Sequence, residues 1–258
     1  MPMALRPGQG SSVSPRKSAL PAAVTLWGWE GREDLFFLKD TPVSVAYYAG
    51  TIYVRPGLVF CKPRLRELKA PGSQQLCPVF RIENSNLPEV PSDSAMDQMT
   101  KIVKSYLNDH NCKAVQIDYD ARASERDFYA RWLKRLRREL APRTHISITA
   151  LASWCLDDRW LPQGSADEAV VMLFSMGPTG KEVLELLAKR QLDTGSGLPL
   201  SIGISANEPE TNGRLKQISL LKSPGRLYIF SSLPWTKERF QKIADQVLER
   251  STNEVSAQ

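Results

Sequence analysis

The chain has 258 residues and a formal net charge of +6, enough to bury a full core as one large domain or two small ones. Its hydrophobic content, 42%, is that of a globular protein. No apolar run approaches the roughly 18 residues that cross a bilayer, so no membrane span is expected.

The first stretch, "MPMALRPGQGSSVSPRKSALP", is rich in Pro, Gly and Ser, and 1–21 reads as a disordered tail, as does 251–258. No apolar leader is visible in it, which reads as cytoplasmic, or as periplasmic or exported if the start is mis-called. Between the tails, 22–250 reads as one domain. Its apolar runs of strand length are 22–29, 43–49, 76–82, 114–118, 145–153, 169–174, 198–205 and 226–232. Several are apolar almost throughout, as strands covered on both faces should be. Between the second and third, "GTIYVRPGLVFCKPR" predicts an extra hairpin around Pro56 and Gly57.

Helical periodicity fills the gaps. Helix 94–108 shows Met96, Met99, Val103 and Tyr106; helix 124–140 repeats Phe128, Trp132, Leu136 and Leu140 at i+4. Helix 180–191 shows Val183, Leu184 and Leu187, and helix 236–249 shows Phe240, Ile243 and Val247, with weaker, short helices at 31–39, 156–162 and 212–222. Ser94 with Asp97, Ser124 with Asp127 and Thr179 with Glu182 have capping-box spacing. Eight strands alternating with helices predict an α/β (β/α)8 TIM-barrel-like fold. An open doubly wound sheet is the alternative, although no GxGxxG or GxxxxGK[ST] is present.

Cys61, Cys77, Cys112 and Cys155 have no CxxC spacing, and no metal site or cofactor is expected from them. A Cys61–Cys77 bridge stays open for an exported protein. The basic residues Arg126, Arg131, Lys134, Arg135 and Arg138 share one helix with no interleaved aromatic platform. They read as a solvated face, and no nucleic-acid partner is expected.

A barrel puts chemistry at the C-terminal ends of its strands. His110 precedes strand four and His145 opens strand five, so both belong at the opposite end. The productive ends carry acids and aromatics: Trp27, Trp29 and Glu30 after strand one, and Glu83 and Asn84 after strand three. Asp118, Tyr119 and Asp120 follow strand four. Ser153, Trp154, Asp157 and Asp158 follow strand five, Asn207 and Glu208 strand seven, and Trp235 strand eight. Period-two alternation in "AVQIDYD" places Gln116, Asp118 and Asp120 on the inner face. An ionised acid there is costly unless bonded or used. The structural alternatives are that Asp118 bonds Ser147 or Thr149, and that Glu30 pairs with Arg81 or Arg122.

The stretches "VQIDYDARASERDFY", "LRRELAPRTHISITALASWC" and "GISANEP" resemble a bacterial family known as domain of unknown function 3142, across roughly 24–210. That family is itself similar to glycosidase-type TIM barrels, and no particular activity is implied. A weaker similarity is to family 18 chitinases, whose strand four carries DxxDxDxE. Here "IDYDAR" matches the two closing aspartates, and Arg122 stands where the motif has its acid.

The first functional expectation is a carbohydrate-active enzyme of the glycoside-hydrolase kind, with Asp120 and Glu208 as its two carboxylates. Asp118 would orient Asp120, and Glu30, Trp27, Trp154, Asn207 and Tyr119 would touch the sugar. The alternative is a non-catalytic carbohydrate-binding barrel that has lost the acid. A divalent metal on Asp118, Asp120 and Glu208 is a third reading. Oligomeric state is left open.

Overall fold

The computed structural model describes residues 24–84, 91–155, 160–161, 164–176, 180, 183, 185, 197–208 and 225–244. Eight parallel strands close on themselves: β1 (Val24–Gly28), β2 (Ser44–Arg55), β3 (Leu76–Asn84), β4 (Ala114–Asp118), β5 (His145–Leu151), β6 (Glu168–Met172), β7 (Leu200–Ser205) and β8 (Leu227–Ser231). Each pairs with the next, and β1 pairs with both β2 and β8, which closes the barrel. The open-sheet alternative is thereby set aside.

Alternation along the strands produces two separate apolar clusters. Trp27, Ala46, Val79, Val170 and Tyr228 fill the barrel interior. Leu26, Val45, Phe80, Ile117 and Ile148 point outward into a larger core shared with the helices. Helix α1 (Asp93–Asp109) packs on β2 and β3, where Tyr106 bonds Tyr47 at 3.0 Å and meets Phe80 edge-on at 5.2 Å, and helix α2 (Arg126–Glu139) packs beside it. Phe128, Tyr129, Trp132, Leu133 and Leu136 of α2 are all fully buried, so the i+4 stripe is what docks the helix. Trp132 Nε1 donates to Thr100 Oγ1 of α1 at 3.2 Å.

The caps differ from the expected ones. Ser92 accepts from the Ala95 N–H at 3.2 Å and caps α1, in place of Ser94. Before α2, Glu125 accepts from the Arg122 N–H at 2.9 Å, while Asp127 pairs along the helix with Arg131 at 2.9 Å. A cap follows the residue where the backbone turns, and two overlapping candidates cannot be ranked from spacing alone.

Strand β2 is one strand of twelve residues rather than a short strand followed by a hairpin. Its pairing with β3 shifts register between Tyr48 and Gly50, and its far half pairs antiparallel with a return strand, Leu58–Pro63. Gly50 is needed there: a Cβ would lie 2.8 Å from the Lys62 carbonyl oxygen and 2.9 Å from Cys61 Sγ. Within 31–39 the chain makes only a two-residue strand, Glu33–Asp34, paired with Leu68–Lys69, and a short 3-10 turn, Phe36–Leu38. The last helix is described over 237–244, with Ile243 buried. Most of 180–191, and all of 212–222, 1–21 and 251–258, lie outside the described residues, as do Asp157 and Asp158.

The four cysteines are free. Cys77 lies opposite Ala46 and Cys61 opposite Ile52, six residues apart along β2. That is about 20 Å of strand, far beyond the reach of a disulfide. Among the described residues no helix is long and apolar enough to cross a membrane.

Candidate active site

The interior changes character from floor to mouth. At the floor, Glu168 of β6 is buried and accepts from Tyr228 OH at 2.5 Å and Ser201 Oγ at 2.7 Å, with His145 Nε2 at 3.2 Å. Burial alone would raise its pKa. The bonds from His145, Tyr228 and Ser201 outweigh that and hold it near 2. One layer up, Gln116 Nε2 donates to Ser147 Oγ at 3.0 Å, and Thr149 Oγ1 donates to Asp118 Oδ1 at 2.9 Å. The inward positions of β4 and β5 thus pair rung by rung.

Above this layer the barrel opens into a cavity of about 430 Å³, within the range of small-ligand sites. One wall is aromatic. Trp27 meets Trp29 and Phe230 edge-on at 6.2 and 5.3 Å, Phe230 stacks on Phe174 at 5.3 Å, and Trp29 lies 4.9 Å from Tyr48. Trp27 Nε1 is buried without a partner among the described residues, a donor whose desolvation calls for an acceptor. The other wall is charged and holds Arg81, Asp118 and Asp120. Ser153, Met172, Ser175 and Met176 complete the rim.

Arg81 organises the charged wall. Its Nε donates to Glu83 Oε1 at 2.6 Å, its Nη1 lies 3.7 Å from Asp118 Oδ2, and its guanidinium sits 5.9 Å from the Trp29 ring centroid. Asp118 is 4% exposed. Burial, then the charge of Asp120, push its carboxyl up to about 6, against the opposing pull of Arg81 and Thr149. Asp120 opens to the cavity solvent but is backed by protein, and burial raises it as well, with Arg81 opposing. Two carboxylates two residues apart on one inward face therefore hold protons to higher pH than free aspartates do.

The charged wall lies in a stretch with recognisable relatives. Residues 73–177 match the family described as Domain of unknown function (DUF3142). The DUF3142 match is shorter than the 24–210 of the sequence resemblance. It contains Arg81, Asp118, Asp120 and Ser153, and leaves out Trp27, Trp29, Phe230 and Glu208. No curated protein matches the chain. Among solved structures, the catalytic domain of a family GH18 chitinase from the fern Peteris ryukyuensis superposes with a TM-score of 0.57 at 12% identity, over 87% of this chain and 99% of that one. A chitinase from Rhizomucor miehei gives 0.54 at 9% identity over 88% and 98%. The spore cortex-lytic enzyme SleL of Bacillus megaterium gives 0.53 at 11% over 81% and 71%. The chain spans 51% of the Bacillus cereus SleL chain that it also matches. At these identities the likeness is one of fold.

Of the expected site residues, Asp118, Asp120 and Trp27 come together in the cavity. Glu208 sits beside it, where its Oε1 accepts from the N–H of the rim residue Ser175 at 2.8 Å. The other expected contacts are placed elsewhere. Trp154 is buried and packs edge-on against Trp160 at 5.2 Å, because the chain turns into a 3-10 turn after β5. Tyr119 faces outward, edge-on to Tyr129 of α2 at 5.1 Å, as the strand's alternation requires. Asn207 Oδ1 accepts from the Ser232 N–H at 2.9 Å and ties the β7 and β8 ends together. Glu30 lies beside Arg64 and Tyr48 rather than in the cavity lining. Trp235 is buried, its indole donating to the Trp27 carbonyl at 3.2 Å.

Among the described residues no group of three or more His, Cys, Asp and Glu side chains could hold a metal ion, so Asp118, Asp120 and Glu208 do not form one. His110 and His145 lie at the floor end, lining a separate cavity with Cys77 and Arg226. Arg81 was missed as a site residue. Its signal was present, since it alternates with Val79 and Glu83 on β3 and must point inward if Val79 does.

Proposed function

We propose that this barrel binds carbohydrate in the cavity at its strand ends and acts on it by proton transfer through Asp120. The observation that carries the reading is the Asp118–Asp120 pair under Arg81, facing an aromatic wall across a cavity of sugar size. Aromatic rings cover the apolar face of a sugar, and acids bond its hydroxyls. Asp120 reaches the cavity and keeps its proton above the usual range, which suits a donor to a leaving oxygen. Asp118, buried beneath it, keeps a negative charge close by and orients it. Glu208, held by Ser175 at the rim, is the second carboxylate of the pair. The unpaired indole N–H of Trp27 would find its acceptor in a ligand oxygen.

The fold likeness to chitinases makes chitin oligomers the first probes, followed by a broader glycan screen. Binding together with turnover that Asp120→Asn abolishes, while binding persists, is the expected result. Turnover unaffected by Asp120→Asn would overturn the assignment. A second reading, a carbohydrate-binding barrel without catalysis, is favoured by Arg122 at the motif's acid position. It predicts binding with no turnover in the unaltered protein.

A further inference from the structure

The hairpin made by the far half of β2 and its return strand lies outside the DUF3142 match and is not used by the cavity. Its faces are set by the register shift at Tyr48–Gly50. Before the shift, Val45, Tyr47 and Ala49 point into the outer core; after it, Ile52 and Val54 do. The extra residue therefore puts Tyr48 and Thr51 on the same inner side, where their hydroxyls meet at 2.8 Å. Tyr53 and Arg55 follow on that side. Their cross-strand partners are Phe60 and Leu58, and Thr51 faces Lys62. On the return strand, Val59 and Cys61 pack against the outer core, which leaves Leu58 and Phe60 on the inner side, 51% and 36% exposed.

The inner side of the hairpin is continuous with the charged wall of the cavity. Thr51 is the register partner of Arg81, and Tyr53 of Glu83, the residue to which Arg81 donates. Beyond Glu83 the row runs to Tyr53 and then Phe60, whose rings stack at 5.1 Å with 17° between their planes. Arg55 holds the pair, its guanidinium carbon 5.9 and 5.6 Å from the two ring centroids. An apolar pair exposed at the tip of a hairpin is an aggregation hazard unless something covers it. A row of rings and cations leading out of a cavity suits a ligand longer than the cavity.

We propose that the ligand is an extended glycan, and that the inner face of hairpin 50–63 binds the sugar units outside the cavity. Tyr53 and Phe60 form the stacking platform, and Arg55 and Lys62 donate hydrogen bonds to the chain. This builds on the carbohydrate reading of the cavity and adds that length is recognised, and where.

The test is calorimetric titration of the full chain with N-acetylglucosamine oligomers of two to six units. The unaltered protein gains affinity with length. Tyr53→Ala/Phe60→Ala keeps the affinity for the shortest oligomer and loses roughly tenfold on the longest, the worth of two aromatic contacts. Phe60→Ala alone, at a position 36% exposed, loses part of that gain. Unaltered protein that binds short and long oligomers equally, or variants that keep the full length dependence, would overturn the hairpin proposal and leave the cavity reading standing. If the unaltered protein binds neither these oligomers nor any glycan of the broader screen, the cavity reading fails and the hairpin proposal falls with it.

Discussion

Arg81 and Asp118 face each other across adjacent strands, with Nη1 3.7 Å from Oδ2. Arg81 also hydrogen-bonds Glu83, so one guanidinium offsets the acids of β3 and β4 together. Arg81→Met should therefore move the ionisation of Asp118 still higher than about 6, which a carbon-detected NMR titration reads directly. The guanidinium is partly exposed, 37%, and screening limits its worth. The expected loss is about 1–2 kcal/mol at pH 8 and smaller at pH 5, where Asp118 is protonated and only the bond to Glu83 is lost. Unchanged Asp118 titration would show that the pair is not coupled.

The pH dependence of stability should carry two opposite signatures. Asp118 is raised from 3.8 to about 6, so its contribution is fully present below the lower value and lost as pH rises through the upper one. Its ionised form costs at most about 3 kcal/mol. Asp118→Asn keeps an acceptor for Thr149 and removes that cost. It should raise the melting temperature at pH 8 and leave it nearly unchanged at pH 4. Glu168 is lowered from 4.5 to about 2, so its stabilisation is complete above the first value and lost as pH falls through the second. Glu168→Gln should be less stable than the unaltered protein at pH 7 and differ little at pH 2. Thermal melts across pH 2–9 check both.

Glu208→Gln separates chemistry from positioning. Glutamine still accepts from the Ser175 N–H, so the rim and the melting temperature should hold. Turnover should fall by on the order of 10²–10⁴-fold if the carboxylate is the second acid–base group. Full turnover in this variant would remove Glu208 from the mechanism.

Gly50→Ala should destabilise the protein by about 2 kcal/mol, as overpacking does. The added Cβ meets the backbone of the return strand at 2.8 Å, and backbone cannot move as a side-chain tip can. A denaturant midpoint matching the unaltered protein would mean that the hairpin crosses less tightly than described.

The sequence by itself determined the eight barrel strands, helices α1 and α2, the placing of both histidines away from the mouth, and the inward face of Asp118 and Asp120. All of these follow from local periodicity, which a strand or helix must obey wherever it lies. The tertiary structure decided what those periods could not. Trp154, Trp235 and Tyr119 sit at strand ends, as expected, but a strand end does not say which way the following turn carries the side chain. Their burial depended on α2 and on the loops of neighbouring strands. Arg81 became a site residue only when β3 was set beside β4, which brought its guanidinium to Asp118. The register shift at Tyr48–Gly50 turned a hairpin readable from Pro56 and Gly57 into one whose aromatic side faces the mouth. One extra residue in a strand reverses every side chain after it, and only the pairing with β3 shows where that residue is.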